Sequence, residues 1–108
     1  MQTINRDTLE AWLDEERDVT LVEVLAPDKY REFHLPGAIN VPLSDDFEQR
    51  IQEAVPDENR PTVVYCYDQA CTASPKAAQK MDELGYREVY DYEAGKMDWK
   101  EAGLPVEQ

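Results

Sequence analysis

Short β-prone apolar runs alternate with segments of helical period along nearly the whole chain, and this alternation restricts the fold class before any single residue is considered. Residues 2–4 suit a short edge strand, after which Asn5 can cap a helix carrying Leu9, Trp12 and Leu13 on one face. Residues 20–25 are β-branched and apolar enough for a largely buried strand, ended by Pro27 and Asp28, which open a short helix through Phe33. The Pro36-Gly37 pair marks a turn, and residues 38–41 form a second short strand stopped by Pro42. Ser44 is then the N-cap of a helix with Phe47, Ile51 and Val55 as its apolar stripe. Beyond a charged loop at residues 56–61 come a strand at 62–65 and a helix from Pro75 to about Leu84, with Ala77, Ala78, Met81 and Leu84 inward and Gly85 as its left-handed terminator. A strand at 88–92 and a last helix at 95–102, with Met97 or Trp99 turned inward, complete the series. Strands separated by helices and short connections pair in parallel, so a mainly parallel sheet covered on both faces is expected. With 108 residues, no repeat and no linker, residues 1–108 are expected to form one domain.

The chemistry is concentrated in residues 63–78, Val-Val-Tyr-Cys-Tyr-Asp-Gln-Ala-Cys-Thr-Ala-Ser-Pro-Lys-Ala-Ala. Cys66 ends the strand, Tyr67, Asp68, Gln69, Ala70, Cys71, Thr72 and Ala73 form a loop, and Ser74 and Pro75 are read as N-cap and first helical residue. Free loop amides and a helix N-terminus beside the Cys66 sulfur favour its anion, so the thiol should ionise below its usual value of about 8.5. Cys66 is therefore a candidate nucleophile. The competing reading is a small apolar residue at the end of a buried strand; its place at a strand's carboxyl end, where open α/β sheets bind ligands, favours the first. Asp68 beside the thiol opposes ionisation, and Lys76 in the first helical turn is the nearest compensating charge. Cys71 either lines the same loop or packs beneath the helix start. His34, the single histidine, either acts as a general base or bonds backbone and fixes the Pro-Gly turn; the second is favoured.

Composition removes several function classes. A formal net charge of −13 argues against nucleic acid and anionic membranes as partners. No apolar run approaches the roughly 20 residues of a membrane span and no signal-peptide pattern opens the chain, so a soluble, cytoplasmic protein is expected. Two cysteines and one histidine fall short of a four-ligand zinc site. No metal or cofactor is expected, and both thiols are expected to be reduced at rest.

In their order and spacing, three blocks resemble the rhodanese family of sulfurtransferases over nearly the whole length. Leu21-Val22-Glu23-Val24 with His34-Leu35-Pro36-Gly37-Ala38-Ile39-Asn40-Val41-Pro42 is similar to the family's strand, helix and turn. The strand end at Cys66, its loop and the Ala77-Ala78 helix form the second block. Leu84-Gly85-Tyr86, Val89-Tyr90, Gly95, Trp99 and Gly103-Leu104-Pro105-Val106 are similar to the family's C-terminal signature. The resemblance implies a three-layer α/β/α fold with a central, mostly parallel five-stranded sheet. It also implies that Cys66 carries a persulfide sulfur cradled by the amides of residues 67–74, taken from a small-molecule or protein-bound sulfane sulfur donor and passed to a thiol acceptor, a protein thiol among the candidates. Three departures stand out: residues 67–75 hold no basic residue, the loop is about two residues longer than the common form, and Glu23-Val24-Leu25 replaces Asp-Val-Arg. These argue against thiosulfate as the natural donor. The missing loop arginine argues equally against phosphatase chemistry on this fold. Two further readings stand beside sulfur transfer: thiol redox chemistry between Cys66 and Cys71, and a non-enzymatic persulfide carrier or protein-interaction module.

Overall fold

The computed structural model describes residues 2–108. Ten elements follow one another in strict alternation: β1 (Gln2–Ile4), α1 (Arg6–Asp14), β2 (Thr20–Glu23), α2 (Pro27–Glu32), β3 (Ile39–Asn40), α3 (Phe47–Ala54), β4 (Thr62–Tyr65), α4 (Ala73–Glu83), β5 (Val89–Tyr92) and α5 (Gly95–Glu101). The five strands form one sheet in the order β1-β5-β4-β2-β3, every neighbouring pair parallel. Register sets Val22 beside Val64 and Val64 beside Asp91 across the three central strands. Because side chains alternate across a strand, Val22, Val64 and Val89 face Phe47 and Ile51 of α3 and Ala77, Ala78 and Met81 of α4. The opposite face packs Leu21, Val63, Tyr65 and Tyr92 against Leu9 of α1 and Trp99 of α5. The result is the three-layer α/β/α arrangement expected from the alternation.

Local chemistry accounts for most element boundaries. Asn5 caps α1, its side-chain oxygen accepting the Thr8 N–H at 2.9 Å. Gly85, at φ +102°, ends the α4 segment in the left-handed conformation as anticipated. Ser44 does not cap α3. Its hydroxyl instead donates to the Asp46 carboxylate at 2.6 Å while its carbonyl accepts the Phe47 N–H, so a turn precedes a helix that begins at Phe47. The second and third strands are shorter than the apolar runs suggested. The Asn40 side-chain amide donates to Glu23 O and Leu25 O, beside the backbone bonds from Val41 N–H to Glu23 O and from Leu43 N–H to Val24 O. Of the two inward candidates in α5, Trp99 is buried and Met97 is half-buried.

Candidate active site

β4 lies between β5 and β2, so the residue that follows it leaves the sheet near its middle, at the carboxyl ends of the strands. That residue is Cys66, 1% exposed and on the α3/α4 face with Val64. The start of α5 holds the chain immediately beyond it. The Lys96 N–H donates to Cys66 O and the Met97 N–H to Tyr67 O, each at 2.9 Å. Such close approach needs a residue without a side chain, and Gly95 supplies it: a Cβ there would lie 2.6 Å from the backbone of Tyr67 and Asp68, at a φ of +77°.

The loop curls around Asp68. Its carboxylate accepts the Ala70 N–H and its carbonyl accepts the Cys71 N–H, both at 3.1 Å. Two amides of the expected sulfur cradle are thus committed to the loop's own turn, and the Asp68 charge is engaged there too. The curl brings the Cα atoms of Cys66 and Cys71 to 6.4 Å, and the two sulfurs are joined as a disulfide. This corrects the expectation of two reduced thiols: five residues of separation suffice once Asp68 folds the loop back, because Cα atoms about 4.4 to 6.8 Å apart can be bridged. Tyr67, Gln69, Ala70 and Thr72 are exposed, while Asp68, Cys71 and Ala73 are half-buried.

Ser74 is the second correction. The helix begins two residues earlier than expected, at Ala73, and the flanking Thr72 makes no side-chain cap bond. Ser74 therefore sits inside the first turn and is buried, its Oγ 3.7 Å from Cys66 Sγ. In the oxidised site the sulfur has no proton, so the hydroxyl is the donor. Pro75 still falls among the first four helical residues, whose N–H groups need no intrahelical acceptor, and its ring breaks no bond. Lys76 is exposed in the same turn and forms no ion pair among the described residues. His34 takes the backbone-bonding role: its Nδ1 lies 2.9 Å from Tyr30 O, its ring stacks on Tyr30 at 3.9 Å, and its backbone pairs with Glu107 in both directions. None of these contacts involves the loop.

Two buried charged groups escaped the sequence reading. Lys96 is buried with its ammonium on Glu23 Oε2 at 3.0 Å, Lys29 O at 2.8 Å and Phe33 O at 2.7 Å. Burial pushes the Glu23 carboxyl above its ordinary range, and Lys96 offsets part of that. Its position three residues before Trp99, on the same inward face, was the signal available in the sequence. Asp91 lies in the middle of β5, wholly buried, with neither carboxyl oxygen hydrogen-bonded among the described residues. Burial pushes its carboxyl up as well, the Ser74 hydroxyl pulls it down in part, and Glu93 pushes it further up. Strand alternation from Val89 already placed residue 91 inward, but an apolar run that tolerates one acid gives no other mark.

Comparison with known proteins narrows what this site belongs to. The family model described as "Rhodanese-like domain" matches residues 5–102. Thiosulfate sulfurtransferase GlpE of Coxiella burnetii is 33% identical over 93 residues, 85% of this chain and 82% of that protein. Thiosulfate sulfurtransferase PspE of Escherichia coli is 40% identical over 68 residues, 63% of this chain and 62% of that protein. An HTH-type transcriptional regulator of Mycobacterium tuberculosis is 37% identical over 91 residues, 84% of this chain, which spans only 38% of the regulator's length. Among solved structures, the rhodanese-like domain of an Anabaena protein superposes with a TM-score of 0.85 at 23% identity, covering 97% of this chain and 77% of that one. The five-stranded parallel sheet agrees with this solved neighbour, and by the family-model match over residues 5–102 the chain belongs to the rhodanese-like domain family.

Proposed function

We propose that this protein is a sulfurtransferase that carries sulfane sulfur on Cys66. The observation that carries the reading is the placement of Cys66, a buried sulfur at the carboxyl end of the central strand, beside a serine hydroxyl and with its own carbonyl pinned by α5. In the reduced enzyme the Cys66 thiolate attacks the sulfane sulfur of the donor, and the donor's leaving group departs with the bonding electron pair. Cys66 then holds a persulfide anion, stabilised by the Ser74 hydroxyl and by the loop amides not engaged by Asp68. An acceptor thiolate attacks the outer sulfur and Cys66 leaves as the thiolate, ready for another cycle. Relatives named as thiosulfate sulfurtransferases support this reaction class. The absence of a basic residue from residues 67–75 favours donors less anionic than thiosulfate, among them protein-bound persulfides.

The disulfide favours a second reading, in which Cys71 completes a redox cycle. Its thiolate attacks the inner sulfur of the Cys66 persulfide, hydrosulfide leaves, and the Cys66–Cys71 bond forms.

Mass spectrometry of protein loaded with donor, before and after cyanide, separates the readings. Sulfur transfer requires one extra sulfur on Cys66 that cyanide removes as thiocyanate; the redox reading requires released sulfide and a loss of two hydrogens relative to the reduced chain. Cys66→Ser should abolish transfer and leave the fold intact, because the hydroxyl fits the strand end and cannot hold a persulfide. Transfer near wild-type rate in that variant rules out the proposal.

A further inference from the structure

Lys96 holds two parts of the molecule at once. Its backbone N–H donates to Cys66 O at 2.9 Å, at the carboxyl end of the central strand. Its side chain, 1% exposed, reaches Glu23, which by strand alternation from Val22 lies on the face of the sheet opposite the Cys66 sulfur. There the ammonium donates to Glu23 Oε2 at 3.0 Å, to Lys29 O at 2.8 Å and to Phe33 O at 2.7 Å, so all three of its hydrogens are engaged. The two carbonyls lie at the end of α2, where a helix leaves carbonyls without donors of its own. That helix buries none of its six residues, so a bond to its last turn is a large part of what seats it. Phe33 adds a contact of another kind, its ring centroid 4.5 Å from the Lys96 ammonium and 4.6 Å from that of Lys100.

We infer that Lys96 is a positioning residue for Cys66: its ammonium, fixed between β2 and α2, sets the place of its own backbone N–H, and that N–H holds the cysteine carbonyl. Stability alone does not account for a charge pair here, since apolar residues of similar volume often serve a core as well or better. The pair supplies direction instead. Charge-assisted bonds at the tip of the side chain and one bond at the backbone fix residue 96 at both ends, whereas an apolar chain of the same length is free to slide along its neighbours. Gly95, which admits the close approach to Tyr67 and Asp68, has no side chain with which to locate the start of α5; Lys96 is the first residue after it that can. The inference rests on the reading of Cys66 as the sulfur-carrying nucleophile and adds to it what keeps that residue in place.

The test uses the reduced Cys71→Ala protein, in which Cys66 is the one remaining thiol. Lys96→Met alone leaves Glu23 as an unpaired buried acid and endangers the fold, so the deciding variant adds Glu23→Met to it and buries no charge at either place. The first readout is the NMR scalar coupling across the hydrogen bond from the residue 96 nitrogen to the Cys66 carbonyl carbon. It should fall by at least about half in the variant, because such bonds weaken steeply with misalignment, while the couplings between β2 and β4 stay as they were. A coupling that survives intact overturns the inference, and so does a loss shared equally by the β2–β4 ladder, which marks a merely structural role. The second readout is steady-state transfer from glutathione persulfide to cyanide. There kcat should fall on the order of a hundredfold and KM stay within about twofold, as for a displaced reacting group with an intact donor site. An unchanged kcat with the coupling lost overturns the inference as well. The coupling is measured without a donor, so it stands or falls even in a protein that transfers no sulfur, whereas absence of transfer in the parent protein counts against the proposed function alone.

Discussion

On the proposed reading, Cys71 sets how long a persulfide on Cys66 survives. Its sulfur already reaches Cys66, so Cys71→Ala is expected to lengthen the lifetime of the loaded state and to end donor-dependent sulfide release, both measurable by cyanolysis over time and by sulfide trapping. An unchanged lifetime would make Cys71 a packing residue. The buried acids make a separate prediction about stability. Burial raises both Glu23 and Asp91, so between the unfolded carboxyl values of 4.5 and 3.8 and their folded ones the native state binds more protons than the unfolded chain. Their stabilising contribution is thus complete at acid pH and is lost as pH rises through the folded values, the reverse of a salt-bridged surface carboxylate. Urea unfolding of the oxidised protein from pH 4 upward should show Asp91→Asn removing part of that loss, by up to about 1.4 kcal/mol for each pH unit by which Asp91 is raised. A variant with the same pH slope as wild type would place the Asp91 carboxyl at its ordinary value.

The loop after β4 owes its shape to α5 as much as to its own residues. Gly95→Ala sets a methyl group against the Tyr67–Asp68 backbone and strains a positive φ, whereas Gly103→Ala, at a similar φ of +80°, meets nothing within 4 Å. Thermal melts should therefore show a distinctly larger loss for Gly95→Ala, about 1–3 kcal/mol beyond the strain common to both. Transfer activity should fall on the order of a hundredfold with displacement of Cys66. Equal losses in the two variants would remove the clash from the explanation. This long-range support is also what the sequence concealed. Strand and helix periods gave the elements within a few residues, because amphipathic faces are local, and they gave the cysteine at a strand end. They misplaced Ser74 because an N-cap serine and a first-turn serine differ by only two residues in the start of α4, a shift that local periodicity does not register. They missed Lys96 and Asp91 because partners more than sixty residues away, or the lack of any partner, leave no local pattern.

At the scale of the whole molecule the charge of −13 acts on every anion that approaches. Thiosulfate should show a high KM at low salt that falls as ionic strength rises, because screening shortens the reach of the field to about 10 Å at 0.1 M. A low KM at low salt would mean that backbone dipoles alone suffice to hold the donor. The strand order carries a consequence of another kind, for the order of assembly during synthesis. Among the described residues β1 pairs with β5 alone, so the first strand made is fixed by the last, and the β4 carboxyl end acquires its clamp only when Gly95, Lys96 and Met97 have been added. Contacts of such long sequence separation form late and slowly. A nascent chain therefore exposes Cys66 without the surroundings that tune it, and the proposed sulfur chemistry begins only after translation has passed the final helix.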